Sequence, residues 1–139
     1  MHPYSQSYLD DAVEAQGKLF DSVSSSHPSS DTEAFITAYM TSRLRSALDN
    51  GQPYVLTMSG NELMDYYLKT ESPAFVLGES MKGFVPDWIG EFYAYYQWYY
   101  GIPSSEVVRK VPVAFLKKAY YGLHDLDLEC AVRKVGGEE

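Results

Sequence analysis

This sequence of 139 residues has one cysteine, three histidines, and only 11 basic side chains against 19 acidic ones. A single cysteine, Cys130, excludes an intrachain disulfide. It falls on a predicted helix beside Ala131 with no activating base near it, which predicts a buried, inert thiol and not a nucleophile. The net charge of −8 works against broad binding to a phosphate backbone, which depends on clustered Lys and Arg releasing counterions. Nucleic acid is thus an unfavoured partner unless a local basic edge exists. No run of about 20 mostly apolar residues occurs, so no membrane span is expected. Nor does a charged n-region followed by an apolar h-region open the chain, and cytoplasmic residence is the default expectation. Also missing are a Gly-rich phosphate loop, a Gly-x-Ser-x-Gly elbow, the His-x-x-x-His and Glu-x-x-His spacings and a cysteine pair. His124 with Asp125 and Asp127 comes nearest to a metal or acid–base cluster, and capping of a final helix by Asp125 is the simpler account. No cofactor is expected, and no repeat of fixed period is visible.

Aromatic residues are plentiful: 13 Tyr, 6 Phe and 2 Trp. The densest run spans residues 86–101, and the rest of the chain is expected to form around it. Pro86 suits a first helical position, where its missing N–H costs nothing, and Gly101 can take the left-handed conformation that ends a helix. At 100° per residue Trp88, Tyr99, Phe92, Tyr96, Ile89, Tyr100 and Tyr93 share one broad arc, with Trp98 and Tyr95 at its far side. Only Gly90, Ala94 and Gln97 form a stripe without bulk. A helix apolar around most of its circumference belongs inside a protein, and the small stripe lets a second helix come close. Buried Tyr hydroxyls need partners, at about 1–3 kcal/mol for each one left unsatisfied, which puts many of them at the edge of the core. Core filling is favoured over the lining of a ligand pocket, because aromatics commonly fill interiors.

The length fits one domain, an all-α bundle of about six helices around this central helix. Tyr8, Leu9, Ala12, Val13, Leu19 and Phe20 share one face of an amphipathic N-terminal helix (residues 1–21), weakened by Gly17. Residues 22–30, rich in Ser, read as a flexible connector that leaves this helix on a tether. It would fold back on its own domain, meet a second copy to make a homo-oligomer, or cover a partner, and the first is favoured. The helical domain then spans 31–135. A capping box at Ser30 to Glu33 opens a second helix that keeps its period to Asn50-Gly51. Arg43 lies in the middle of its apolar face and Arg45 points away. Residues 53–58 read as an extended connection, and Ser59 to Glu62 as a second capping box opening a third helix. Residues 70–85 form a long loop, a place where a lid or binding segment can sit. Short helices follow through Val107 to Val111 and from Pro112 to Gly122, and the last runs from about Asp125 to Val135. Residues 136–139 should fray.

Two groups of side chains are candidates for function. Arg43, Glu91, Gln97 and Tyr96 form a candidate polar core or pocket, since a buried guanidinium needs a carboxylate and Glu91 is the one at hand. The alternative for Arg43 is a head extended into solvent. Arg109, Lys110, Lys117 and Lys118 give the corner after Gly101 a positive balance and the rhythm of a helix-turn-helix, although a plain helical corner produces the same pattern. The acidic surface, the detachable helix and the missing catalytic signatures together point away from an enzyme and towards docking on another protein.

The segments Met58-Ser59-Gly60-Asn61-Glu62-Leu63, Trp88-Ile89-Gly90, Tyr93-Ala94-Tyr95, Gln97-Trp98, Ile102-Pro103-Ser104 and Leu123-His124 resemble those of small uncharacterised bacterial proteins. The resemblance covers residues 31–135. It implies an association with toxin–antitoxin-type genes and an interaction role, with a toxin as the partner, and carries over no catalytic residue.

Overall fold

The computed structural model describes residues 2–138; Met1 and Glu139 lie outside the described residues, and with Glu139 the last of the residues expected to fray. The described chain is an all-α bundle: a short 3-10 turn at Gln6–Tyr8, then α1 (Leu9–Ser26), α2 (Thr32–Met40), α3 (Arg43–Asp49), α4 (Pro53–Leu56), α5 (Gly60–Glu71), α6 (Val85–Tyr100), α7 (Ser104–Lys110), α8 (Val113–Leu123) and α9 (Leu128–Val135). The nine α-helices exceed the six or so expected because short polar breaks divide what periodicity alone joins. None of them is long and apolar enough to cross a membrane.

The aromatic helix α6 is the centre. Pro86 occupies its first turn, and Gly101 ends it in the left-handed region with φ 64°. Trp88, Ile89, Phe92, Tyr93, Ala94, Tyr96, Gln97 and Trp98 are all buried. Helix α1 lies along it. Leu9 and Val13 cluster with Ala94 and Trp98, whereas Gly17 sits against Asp87 and Glu91, so the two helices run antiparallel. A Cβ added at Gly90 would stand 2.6 Å from the Gln16 carbonyl oxygen and 2.9 Å from the Gly17 Cα. The two backbones are thus in near contact at the small-residue stripe, and Gly17 is an interface residue whose low helix propensity is offset by that approach. Gln16 locks the crossing by donating from Nε2 to the Gly90 carbonyl at 2.8 Å.

The other helices close around this pair. The first turn of α5 abuts α1, where a Cβ at Gly60 would lie 2.8 Å from the Ala15 carbonyl oxygen. Phe20, Tyr39 and Tyr67 join α1, α2 and α5 through edge-on ring contacts at 5.6 Å and 5.1 Å. On the opposite side Tyr93 donates to the Val111 carbonyl, Trp88 meets Tyr120 of α8 edge-on, and Tyr100 donates to the Glu138 carboxylate beyond α9.

Several expectations change. Residues 22–26 are helical: Val23 and Ser24 are buried on α1, so the serines continue the helix and its apolar face is covered by the chain itself. Residues 53–56 form a single helical turn opened by Pro53. The long helix expected from 31 to 50 is broken at Thr41-Ser42. Ser42 caps α3 by accepting from the Arg45 amide at 3.1 Å, and the break rotates the helix face, so Arg45 is 1% exposed while the Arg43 side chain is 85% exposed. Cys130 is exposed, and α9 is capped by Asp127, not Asp125. The segment after α9 is held: Glu138 donates its amide to the Arg133 carbonyl at 2.8 Å while its carboxylate accepts from Tyr100.

Candidate interaction surface

The residues expected to form one polar site are dispersed. Arg43 reaches into solvent, and its Nε stands 4.0 Å from Glu71. Glu71 instead serves α3 as a cap, accepting from the Arg43 amide at 3.2 Å and the Leu44 amide at 2.8 Å. Glu91 lies half-buried on the α1–α6 seam. Gln97 is buried at the end of α6 and donates from Nε2 to the Ile102 carbonyl at 3.1 Å, and Tyr96 packs between Phe92 and Tyr100. These four side chains fill or flank the core separately. The ring-bearing face of α6 is packed against its neighbours.

Two polar clusters escaped the sequence reading. In the first, Arg45 Nη1 stands 3.8 Å from Asp49 Oδ1, and the same carboxylate accepts from the Ser104 amide at 2.8 Å and the Ser104 hydroxyl at 2.6 Å. Nε and Nη2 of Arg45 and the hydroxyls of Tyr4 and Tyr39 find no partner among the described residues. Burial lifts the Tyr39 phenol far above its ordinary range, with the Arg45 charge pulling the other way. This is a structural tie between α3 and α7. Because the apolar spacing runs on through Thr41-Ser42, the sequence carried no trace of it. In the second cluster, Asp87 and Glu91 of α6 face Glu14, Lys18 and Asp21 of α1. Burial, and then neighbouring carboxylates, raise the pKa of both Asp87 and Glu91, with Lys18 opposing the shift at Asp87.

The basic corner is partly neutralised. Arg109 pairs with Glu106 at 3.3 Å and Lys117 with Glu33 at 3.7 Å, whereas Lys110 and Lys118 are exposed on α7 and α8. His124 stacks on Tyr120 at 4.4 Å and approaches Asp125, and no further ligand-type side chain joins them into a metal-holding group among the described residues. Cys130 lies beside Asp127, whose carboxylate pushes the thiol pKa upwards, away from the thiolate a nucleophile needs.

The segment between α5 and α6 carries several exposed apolar side chains. Ser72 ends α5 in the left-handed region with φ 43°, which turns the chain sharply, and Pro73 prevents the helix from resuming. The chain then runs beside residues 29–32. Val76 accepts from the Asp31 amide at 2.8 Å, Gly78 donates to the Ser29 carbonyl at 3.0 Å, and Ser30 and Leu77 form an isolated antiparallel bridge. Gly78 is required there, because a Cβ would stand 2.7 Å from that of Asp31. Phe75 fastens the segment by stacking on His27 at 4.1 Å and on Phe35 at 5.8 Å. Leu77 is nevertheless 86% exposed with Val76 exposed beside it, and Phe84, at the end of the segment, is 78% exposed. A depression of 520 Å³ borders Leu77, lined by Ser29, Gly78, Glu79 and Lys82 among others. The sequence marked these residues only as a long loop that can carry a binding segment.

The chain matches no protein-family model, no curated protein and no solved structure.

Proposed function

We propose that the protein is a non-enzymatic interaction domain that docks on another protein through the segment between α5 and α6. The observation that carries this reading is a backbone held in place by hydrogen bonds and ring stacking that still presents Val76 and Leu77 to solvent, with Phe84 exposed at the end of the same segment. A segment that is ordered yet leaves large apolar side chains uncovered has the character of a contact surface. The filled interior around α6 supports the same reading, because its aromatic side chains are committed to packing. An acidic, antitoxin-like member of a bacterial two-gene pair, with a toxin as partner, is the specific form of this proposal; it rests on the resemblance of residues 31–135 and on the net charge of −8.

Co-purification from cells that naturally produce the protein tests it. A stoichiometric partner is expected, and it should be lost when Val76, Leu77 and Phe84 are all replaced by Ser. Recovery of the protein only as an isolated species, or retention of the partner by the triple variant, would refute the reading.

A further inference from the structure

We infer that the outward edge of residues 75–79 is a strand-addition site, one that takes an extended basic segment of a partner protein with apolar residues at alternate positions. The inference rests on the interaction reading above and specifies its partner.

Around the Ser30–Leu77 bridge the inner hydrogen bonds use the Val76 carbonyl and the Gly78 amide. In an antiparallel pair of this kind the residue between two such bonds turns its own N–H and C=O to the opposite side. Leu77 therefore offers one donor and one acceptor outward, and neither it nor Phe75 makes a backbone hydrogen bond among the described residues. Such an unpaired edge is a template for another extended chain. It is also preorganised: the Ser72 turn, the Phe75 stacks and the close passage at Gly78 hold it extended before any partner arrives. Side chains alternate along an extended segment, so Val76 and Leu77 project to opposite faces, and an added strand would meet an apolar side chain on either one. Charge selects the occupant. The chain carries −8, and Glu79 lies on the edge itself with Asp31 packed on Gly78 beside it and Lys82 a cation lining the same depression. A basic segment is drawn to this surface, while a second copy brings its own −8.

The test uses end-blocked decapeptides titrated into the full chain labelled with nitrogen-15: one alternating Lys and Val, one alternating Glu and Val, and one Lys/Val peptide N-methylated at every second residue. The Lys/Val peptide is expected to bind and to slow exchange of the Leu77 amide at least about tenfold, since a paired edge amide is withdrawn from water. The Glu/Val and N-methylated peptides should bind at least about tenfold more weakly, as should the Lys/Val peptide to Leu77→Pro, which lacks the outward N–H. Equal binding of the N-methylated peptide, an unprotected Leu77 amide or no binding at all would overturn the inference. So would protection of Leu77 that grows with protein concentration without peptide, which identifies a second copy as the occupant. A natural partner kept by Leu77→Pro but lost by the triple Ser variant would remove the strand edge and leave the interaction reading standing. If no natural partner is recovered, the interaction reading falls, and the peptide titration still reads the edge by itself.

Discussion

At the scale of single residues, two glycines and one ion pair separate what is merely helical from what holds the bundle. Gly90 sits where α6 touches the α1 backbone, so Gly90→Ala inserts a methyl group 2.6 Å from a carbonyl oxygen that cannot move independently. Overpacking of this kind costs about 1–3 kcal/mol and should outweigh the gain in helix propensity. Gly122 of α8 has open space where a Cβ would be, and its φ is not positive. Gly122→Ala should therefore stabilise by about 0.5–1 kcal/mol. Urea unfolding of the two variants is expected to move in opposite directions. The Arg45–Asp49 tie gives a second contrast. Asp49→Ala leaves a guanidinium uncompensated at 1% exposure and frees Ser104, a loss of about 3–5 kcal/mol, whereas Arg45→Met removes charge and burial cost together and should be far milder. The order of the two denaturation midpoints tests the role of the tie.

At the scale of elements, the α1–α6 seam and the α9 cap respond to acid in opposite senses. Asp87 and Glu91 have folded-state pKa values raised by burial and by neighbouring carboxylates, so the folded form takes up protons more readily than the unfolded chain. Their contribution to stability therefore grows as pH falls from 7 through those raised values towards the ordinary carboxylate range near 4. Asp127 is the reverse case: the hydrogen bond from the Cys130 amide lowers its pKa below the ordinary 3.8. Its cap is intact above that value and is lost as the pH falls through the lowered one. The melting temperature should rise as the pH falls from 7 towards the ordinary carboxylate range near 4 in the native chain, and rise less in the double variant Asp87→Asn, Glu91→Gln. Exchange protection of the α9 amides should fall only below about pH 4, the ordinary aspartate value. Which elements could be read in advance follows from where their information lies. Pro86, Gly101 and the Ser59–Glu62 box act within a few residues, and the ends of α6 and the start of α5 were legible for that reason. The Arg43/Arg45 exchange was not, because apolar spacing runs on through Thr41-Ser42 and only the bond from the Arg45 amide to the Ser42 hydroxyl shows that a new helix begins. Ser22 to Ser26 misled similarly: their helicity comes from Val23 and Ser24 packing against the bundle, which is tertiary information. The edge at Leu77 was visible only as a loop, since its partner segment lies some 47 positions earlier in the chain.

At the scale of the whole molecule, α1 is the second half of the core. Leu19 and Phe20 are fully enclosed, and the helix covers the small-residue face of α6 over much of its length. A chain beginning at Asp31 would expose that face and should show no cooperative thermal transition by circular dichroism, whereas independent folding of residues 31–135 would contradict the packing described above. The single carboxylate of Glu71 closes α5 immediately before the Ser72 turn and also holds the first amides of α3. The segment hung from Ser72 is in this way wired to the start of α3, so the Arg43 and Leu44 amide resonances become remote gauges of occupancy at Leu77, readable without labelling the visitor.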